Sequence, residues 1–225
     1  MRKEEKTRRT YERIMAAAME EFGTKSYDNA SITTLCNENQ ISKGLVYHNF
    51  KNKDELYLKC VEECFDEMTE YFKNQEYKAD GIQESLQNLF HMRQQFFREH
   101  PCCCNLFFYT VVQPPEHLRR KIHALRQKYD DFFINCFREL LQQTEMRDGI
   151  TEAAAMEYFM IFLEMFNGYF QSRSCEKEDI HALAEYHEEN LSKILDIMLY
   201  GVAKKNRGEP VSYTHLRAHE TRSNL

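Results

Sequence analysis

Residues Ile41 to Phe50 read Ile-Ser-Lys-Gly-Leu-Val-Tyr-His-Asn-Phe, and Lys53 follows three residues later. The run is too short for a core helix, yet Ser42 is a good helix start, able to cap the free amides of the first turn. Behind it stand a cation, Lys43, a glycine, Gly44, an aromatic with a polar tip, Tyr47, and an imidazole, His48. A glycine at this point of a helix costs about 1 kcal/mol relative to alanine. That cost is understandable where a surface must approach a partner very closely. Lys43, Tyr47, His48 and Lys53 can donate to phosphate oxygens, with Thr33 helping from upstream, while Gly44 and Leu45 can face base edges. The chemistry fits DNA.

The preceding segment supplies a frame for these groups. Tyr11, Ile14, Met15, Ala18 and Phe22 recur at helical spacing, and Gly23 stands where a C-terminal cap belongs. A polar turn from Thr24 to Ala30 follows, and Ser31 then caps a short helix with Ile32, Leu35 and Cys36 on its apolar side. Asn39 and Gln40 break that pattern, and Ile41 leads into the Ser42 helix. Two short helices joined by a tight turn and braced by a longer one form a helix-turn-helix reader of double-stranded DNA.

Ser31 to Leu56 resembles the DNA-binding signature of the TetR family of bacterial regulators. The matching positions are Ser31, Leu35, Ser42, Lys43, Gly44, Tyr47, Phe50, Lys53 and Leu56, and the match runs from about Arg9 to Leu56. The chain departs from the family pattern at Asn39-Gln40, where Ala-Gly is usual, and at Cys36, where a small alanine is common. Glutamine tolerates a left-handed backbone less well than glycine or asparagine. The resemblance implies an all-α protein, with an N-terminal three-helix DNA-binding domain over 1–54 and a helical ligand-binding and dimerisation domain over 55–205. It implies a homodimer on a palindromic operator and a small, mostly apolar effector.

Composition agrees. Only 7 Gly and 4 Pro in 225 residues argue against a loop-rich β fold or a glycine-lined nucleotide site. The net charge of −6 divides unevenly: residues 1–54 hold 10 Lys/Arg against 8 Asp/Glu, and the remainder 20 against 28. The excess is densest at Arg2, Lys3, Lys6, Arg8, Arg9 and Arg13, a basic reader on an acidic body. No apolar run reaches bilayer length, and the charged start, Met-Arg-Lys-Glu-Glu-Lys, does not suit a signal peptide. A cytoplasmic protein without membrane partners is expected. No Gly-rich phosphate loop, nucleophile elbow or His-Glu-x-x-His element is present, so no enzyme and no cofactor are expected.

Beyond Leu56 helical stripes continue. Phe65, Met68, Phe96, Phe107, Phe108, Tyr109, Phe133 and Phe137 come from several helices that would surround a common space. For any one of them core packing is the commoner role, but the family's helices enclose a ligand pocket, and these are its candidate lining. A helix near Met156 to Phe170 is apolar nearly all round and must be covered on two sides. Together with the last helix it suggests a four-helix dimer interface through Phe159, Phe162, Phe166, Leu191, Ile194 and Met198.

Eight cysteines, three of them consecutive at Cys102 to Cys104, do not form a disulfide framework and point to a reducing compartment. Cys60 and Cys64, one turn apart, offer an alternative: a thiol- or metal-responsive regulator acting with Cys102, Cys103 or Cys104. A helical scaffold without DNA binding is a weaker alternative that leaves Lys43, Gly44 and Tyr47 unexplained. His181 and His187 read as a solvated helix face. After Lys205 the apolar periodicity stops, and 206–225 is expected to be disordered and foreign to the fold, like read-through of a vector joint.

Overall fold

The computed structural model describes residues 3–173 and 180–202. The expected segments are helices: α1 (Lys3–Thr24), α2 (Ile32–Glu38), α3 (Lys43–Asn49), α4 (Lys53–Lys73), α5 (Ile82–Glu99), α6 (Pro101–Val112), α7 (Arg119–Gln142), α8 (Glu152–Arg173) and α9 (Ile180–Val202). A 3-10 turn at Glu116–Leu118 leads into α7, and no strand occurs among the described residues. None of the described helices is long and apolar enough to cross a membrane. The tail expected to be disordered, 206–225, lies outside the described residues, as do Arg2 and the side chain of Lys3.

Capping residues set the boundaries of the head. Ser31 Oγ accepts from the Thr33 amide at 3.2 Å, Ser42 Oγ from Leu45 at 3.3 Å, and Asn52 Oδ1 from Glu55 at 2.9 Å. Buried Glu21 ties α1 to the start of α2, since its Oε1 accepts from the Ser31 amide at 2.7 Å while Oε2 holds Lys25 at 2.6 Å. In the turn between α2 and α3, Gln40 takes a left-handed φ of 53°, unique to it among the described non-glycine residues. Neighbouring bonds fix that conformation: Asn39 Nδ2 donates to Leu35 O at 3.1 Å and the Ile41 amide to Cys36 O at 2.9 Å.

Gly23 is not the expected cap. It lies inside the last turn of α1, without positive φ, and a Cβ there would meet Cys102 Cβ at 2.6 Å and Cys102 Cα at 2.8 Å. Its role is close approach, which lets α1 press directly on the first turn of α6. Asn105 of α6, itself buried, donates to the Gly23 carbonyl at 2.7 Å and locks the crossing.

In the body, α4 lies against α6 and α7. Phe65 packs on Phe107 and Tyr129 with ring centroids 5.8 and 5.7 Å apart, and Phe72 packs on Phe96 and Phe133 at 6.0 and 5.4 Å. Such offset and edge-on pairs fill a core without voids.

The apolar helix α8 is covered on one side by its own chain. Phe159, Phe166 and Phe170 turn inward, Phe159 stacking on Phe137 with centroids 3.9 Å apart. Tyr158, Met160, Ile161, Met165 and Tyr169 remain exposed, Met165 by 69%. This corrects the expected interface. Phe159, Phe166 and Leu191 are buried within the chain, Met198 is buried on the wall of a groove shared with Phe162 and Ile194, and those two are half-buried. An all-round apolar helix does not reveal from sequence which of its stripes faces inward.

Candidate nucleic-acid interface and internal cavity

On the head, Thr33 of α2 and Ser42, Lys43, Gly44, Tyr47 and His48 of the α3 region are exposed together. Val46 and Phe50 anchor α3 from beneath, Phe50 stacking on Tyr11 with centroids 5.7 Å apart. Leu45 is half-buried against the head's core. A Cβ on Gly44 would meet nothing within 4 Å, so the folded chain itself does not require glycine there. Lys6, Arg8, Arg9 and Arg13 are exposed on α1, a continuous helix rather than a loose arm. Arg9 and Arg8 pair with Glu5 and Glu12 at 2.9 and 3.5 Å, exposed contacts worth little in water, and Arg13 reaches the Asn39 carbonyl at 3.4 Å.

Lys53 departs from a plain phosphate contact. Its ammonium donates to the Tyr27 carbonyl and lies 4.3 Å from the centre of the Tyr27 ring, and burial pulls its pKa down. The Tyr27 hydroxyl donates to Asp54, and His117, in the 3-10 turn before α7, stands 3.3 Å from the same carboxylate. The hydrogen bond from Tyr27, with lesser help from His117, holds the Asp54 carboxyl below its ordinary range. Tyr27–Asp54–His117 and Gly23–Cys102–Asn105 join head to body, beside the packing of α1 on α4 through Phe22 and Tyr57.

Within the body a cavity of about 170 Å³ opens between α5, α6, α7, α8 and α9. Phe107, Phe133 and Phe137 line it as expected from their types, beside Phe90, Val111 and Leu163. Phe65, Met68, Phe96 and Phe108 do not; they are fully buried core residues, because partner rings occupy the space in front of them.

Polar groups on the cavity wall were missed in the sequence. Arg93 of α5 is buried and forms a bidentate pair with Glu188 of α9, Nε to Oε2 at 2.9 Å and Nη2 to Oε1 at 2.6 Å. Burial opposes ionisation of Glu188, and the guanidinium outweighs it, holding the carboxyl below its usual range. The pair continues through His187 Nδ1, 3.1 Å from Glu188, to Asn167, 3.3 Å from His187 Nε2, while Arg93 Nη1 reaches Tyr129 at 3.4 Å. His187 is thus not on a solvated face but buried among Phe108, Phe166 and Phe170, and burial lowers its pKa. His181's side chain lies outside the described residues. The available signal was spacing: Arg93 falls on the stripe of Leu86, Leu89, Phe90, Phe96 and Phe97, and His187 on that of Leu183, Ala184 and Leu191.

Two family models match the chain. Residues 14–60 match the one described as bacterial regulatory proteins of the tetR family, and 80–203 match the tetracyclin repressor-like C-terminal domain. The chain belongs to the TetR family. Among curated relatives of this TetR chain, the biofilm operon icaADBC HTH-type negative transcriptional regulator IcaR of Staphylococcus epidermidis is 28% identical over 78 residues. That match covers 33% of this chain and 42% of the relative's length. Among solved structures, the transcriptional regulator FadR of Bacillus subtilis in complex with stearoyl-CoA aligns at TM-score 0.57 and 20% identity, covering 81% of this chain and 97% of that one. A TetR family regulator of Chloroflexus aurantiacus aligns at TM-score 0.56 and 14% identity, covering 88% and 95%. Both likenesses are of fold. TetR-family proteins are regulators rather than enzymes, and this chain is a DNA-binding transcriptional regulator.

The thiols do not favour the alternative of a redox- or metal-responsive TetR protein. Cys60 and Cys64 are buried, and Cys64 donates to the Cys103 carbonyl at 3.4 Å. Burial raises the Cys60 and Cys102 pKa values and pushes Cys104 up to about 12, so these thiols stay protonated at neutral pH. Among the described residues no group of three or more His, Cys, Asp or Glu could hold a metal ion.

Proposed function

We propose that this TetR-family chain is a cytoplasmic repressor that binds a palindromic operator as a homodimer and is released by a small, mostly apolar molecule entering the cavity. In this reading 1–54 is the DNA-binding domain and 55–205 the ligand-binding and dimerisation domain, with the boundary in the first turn of α4. Lys43, Tyr47, His48 and Lys53 bind phosphates with Thr33, Ser42 caps the reading helix, and Gly44 and Leu45 face the bases. The exposed apolar face of α8, with Ile197 and Tyr200 of α9, seats the second copy. Two reading helices then meet successive major grooves about 34 Å apart.

One observation carries the ligand response. Helix α6 lines the cavity through Phe107 and Val111, and its first turn presses on Gly23 of the head. The cavity lining contains no residue of α4, and the lever passes through α6. A stiff element shared by two sites converts a small displacement at one into movement at the other. The Bacillus FadR holds stearoyl-CoA, and an acyl chain is one ligand form that this apolar lining suits.

Binding of a fluorescent duplex from the gene's own upstream region tests the DNA half. The expected result is tight binding that an unlabelled copy competes and unrelated duplex does not. Equal competition by both would remove the operator from the reading.

A further inference from the structure

Resting on the effector reading of the cavity, a finer inference concerns the charge of its ligand. Two guanidiniums line the cavity, Arg93 and Arg126, and neither is free. Arg93 is held by both oxygens of Glu188, and Arg126 Nε donates to Asp130 Oδ2 at 2.8 Å. Glu164 adds another carboxylate to the wall. An entering anion meets no unpaired guanidinium and at least as many carboxylates as guanidiniums; of the two imidazoles on the wall, His187 is held by Glu188 and Asn167 and His123 is exposed to solvent. An entering cation must leave water for mostly apolar walls, where Asp130 and Glu188 already accept charge-assisted bonds and Glu164 is exposed to solvent.

Neutral hydrogen-bonding capacity, by contrast, is open. The Tyr129 hydroxyl is buried, accepts a long 3.4 Å contact from Arg93, and donates to nothing among the described residues. Asn167 contacts His187 through Oδ1, and its Nδ2 has no partner among the described residues. Both side chains line the cavity. The buried Tyr129 hydroxyl hydrogen is left without an acceptor at a cost that a ligand oxygen relieves, and half-buried Asn167 offers a second donor beside it.

We propose that the cavity selects an uncharged, mostly apolar molecule whose single polar group, a hydroxyl or an amide or ester carbonyl, accepts from Tyr129 or Asn167. It discriminates against the free carboxylic acid and the amine of the same skeleton, because the Arg93–Glu188 and Arg126–Asp130 pairs leave no net charge to meet them.

The test uses the full chain and four probes of equal length: 1-octanol, octanamide, octanoate and octylammonium, titrated by calorimetry at neutral pH. The alcohol and the amide are expected to bind, with octanoate and octylammonium weaker by about tenfold or more. Glu188→Gln, which frees the Arg93 charge, should reverse the ranking toward octanoate; if that variant fails to fold, the ranking on the unaltered chain decides alone. Octanoate or octylammonium binding as tightly as the alcohol overturns the charge selection and leaves the cavity reading standing. No binding by any of the four overturns both. A neutral probe that binds without changing operator affinity would overturn the effector reading and leave the selection intact.

Discussion

Gly23→Ala sets two opposing effects against each other. In an isolated helix the change would stabilise by about 1 kcal/mol. Here the new methyl carbon would stand 2.6 Å from Cys102 Cβ, 2.8 Å from its Cα and 2.9 Å from its carbonyl oxygen. Two of those atoms are backbone, so no rotamer change removes the clash, and α1 must lift from α6. Overpacking of this kind costs about 1–3 kcal/mol, and backbone contact places it at the upper end. The net expectation is a destabilisation of roughly 1–2 kcal/mol, or a melting temperature lower by about 2–8 °C at about 2–4 °C per kcal/mol for a chain of this size. Because the same contact joins head to body, operator affinity should fall under conditions where the variant is still folded. Thermal melts followed by circular dichroism and anisotropy with labelled operator measure both. A variant as stable as the parent, or more so, would refute the close approach of α1 and α6 and restore Gly23 to a simple cap.

Other substitutions address the turn, the phosphate contacts and the buried network. Gln40→Gly relieves a left-handed backbone at φ 53° and should raise stability by about 0.5–1 kcal/mol in chemical denaturation; a loss would mean that the Gln40 side chain holds the turn. Lys43→Ala should lower the slope of log affinity against log salt by about one without changing the melting temperature, whereas Lys53→Ala, which also strips Tyr27 of its ammonium, should lower both. An unchanged slope in either removes that lysine from the phosphate contacts. Burial lowers the His187 pKa, so the folded state favours the neutral ring: stability is full above the ordinary value of 6.5 and declines as pH falls below it. Glu188, held below 4.5, adds a second loss only at more acid pH. His187→Gln should therefore flatten the fall in melting temperature between about pH 7 and pH 5; an equal fall in both proteins would contradict the burial argument.

Much of the head was legible in the sequence because its signals are local. Ser31 and Ser42 are caps whose partners lie two or three residues away, and the apolar spacing of Ile14 to Phe22 and of Ile32 to Cys36 is that of one helix face. The unfavourable φ at Gln40 was legible too, as a departure from the residue types that tolerate it. The body was legible as helices but not as surfaces. Phe65 and Phe107 are alike in type and stripe, yet only Phe107 borders the cavity, since that depends on which neighbour fills the space in front of each ring. Phe159 and Met165 are both apolar residues of α8, and only the packing of α6, α7 and α9 decides that the first is covered and the second bare. Gly23 misled because a helix-ending glycine and a close-contact glycine look the same until Cys102 is seen beside it. Arg93 and Glu188 stand 95 residues apart, and nothing local couples them.

Titration of a neutral cavity ligand such as 1-octanol, with and without saturating operator duplex, tests the coupling of cavity and head most directly. Because linkage is reciprocal, operator should weaken ligand binding by the same factor with which ligand weakens operator binding, typically about 5–150-fold for coupled sites. Equal ligand affinity in both titrations would contradict the α6 lever and the effector reading of the cavity.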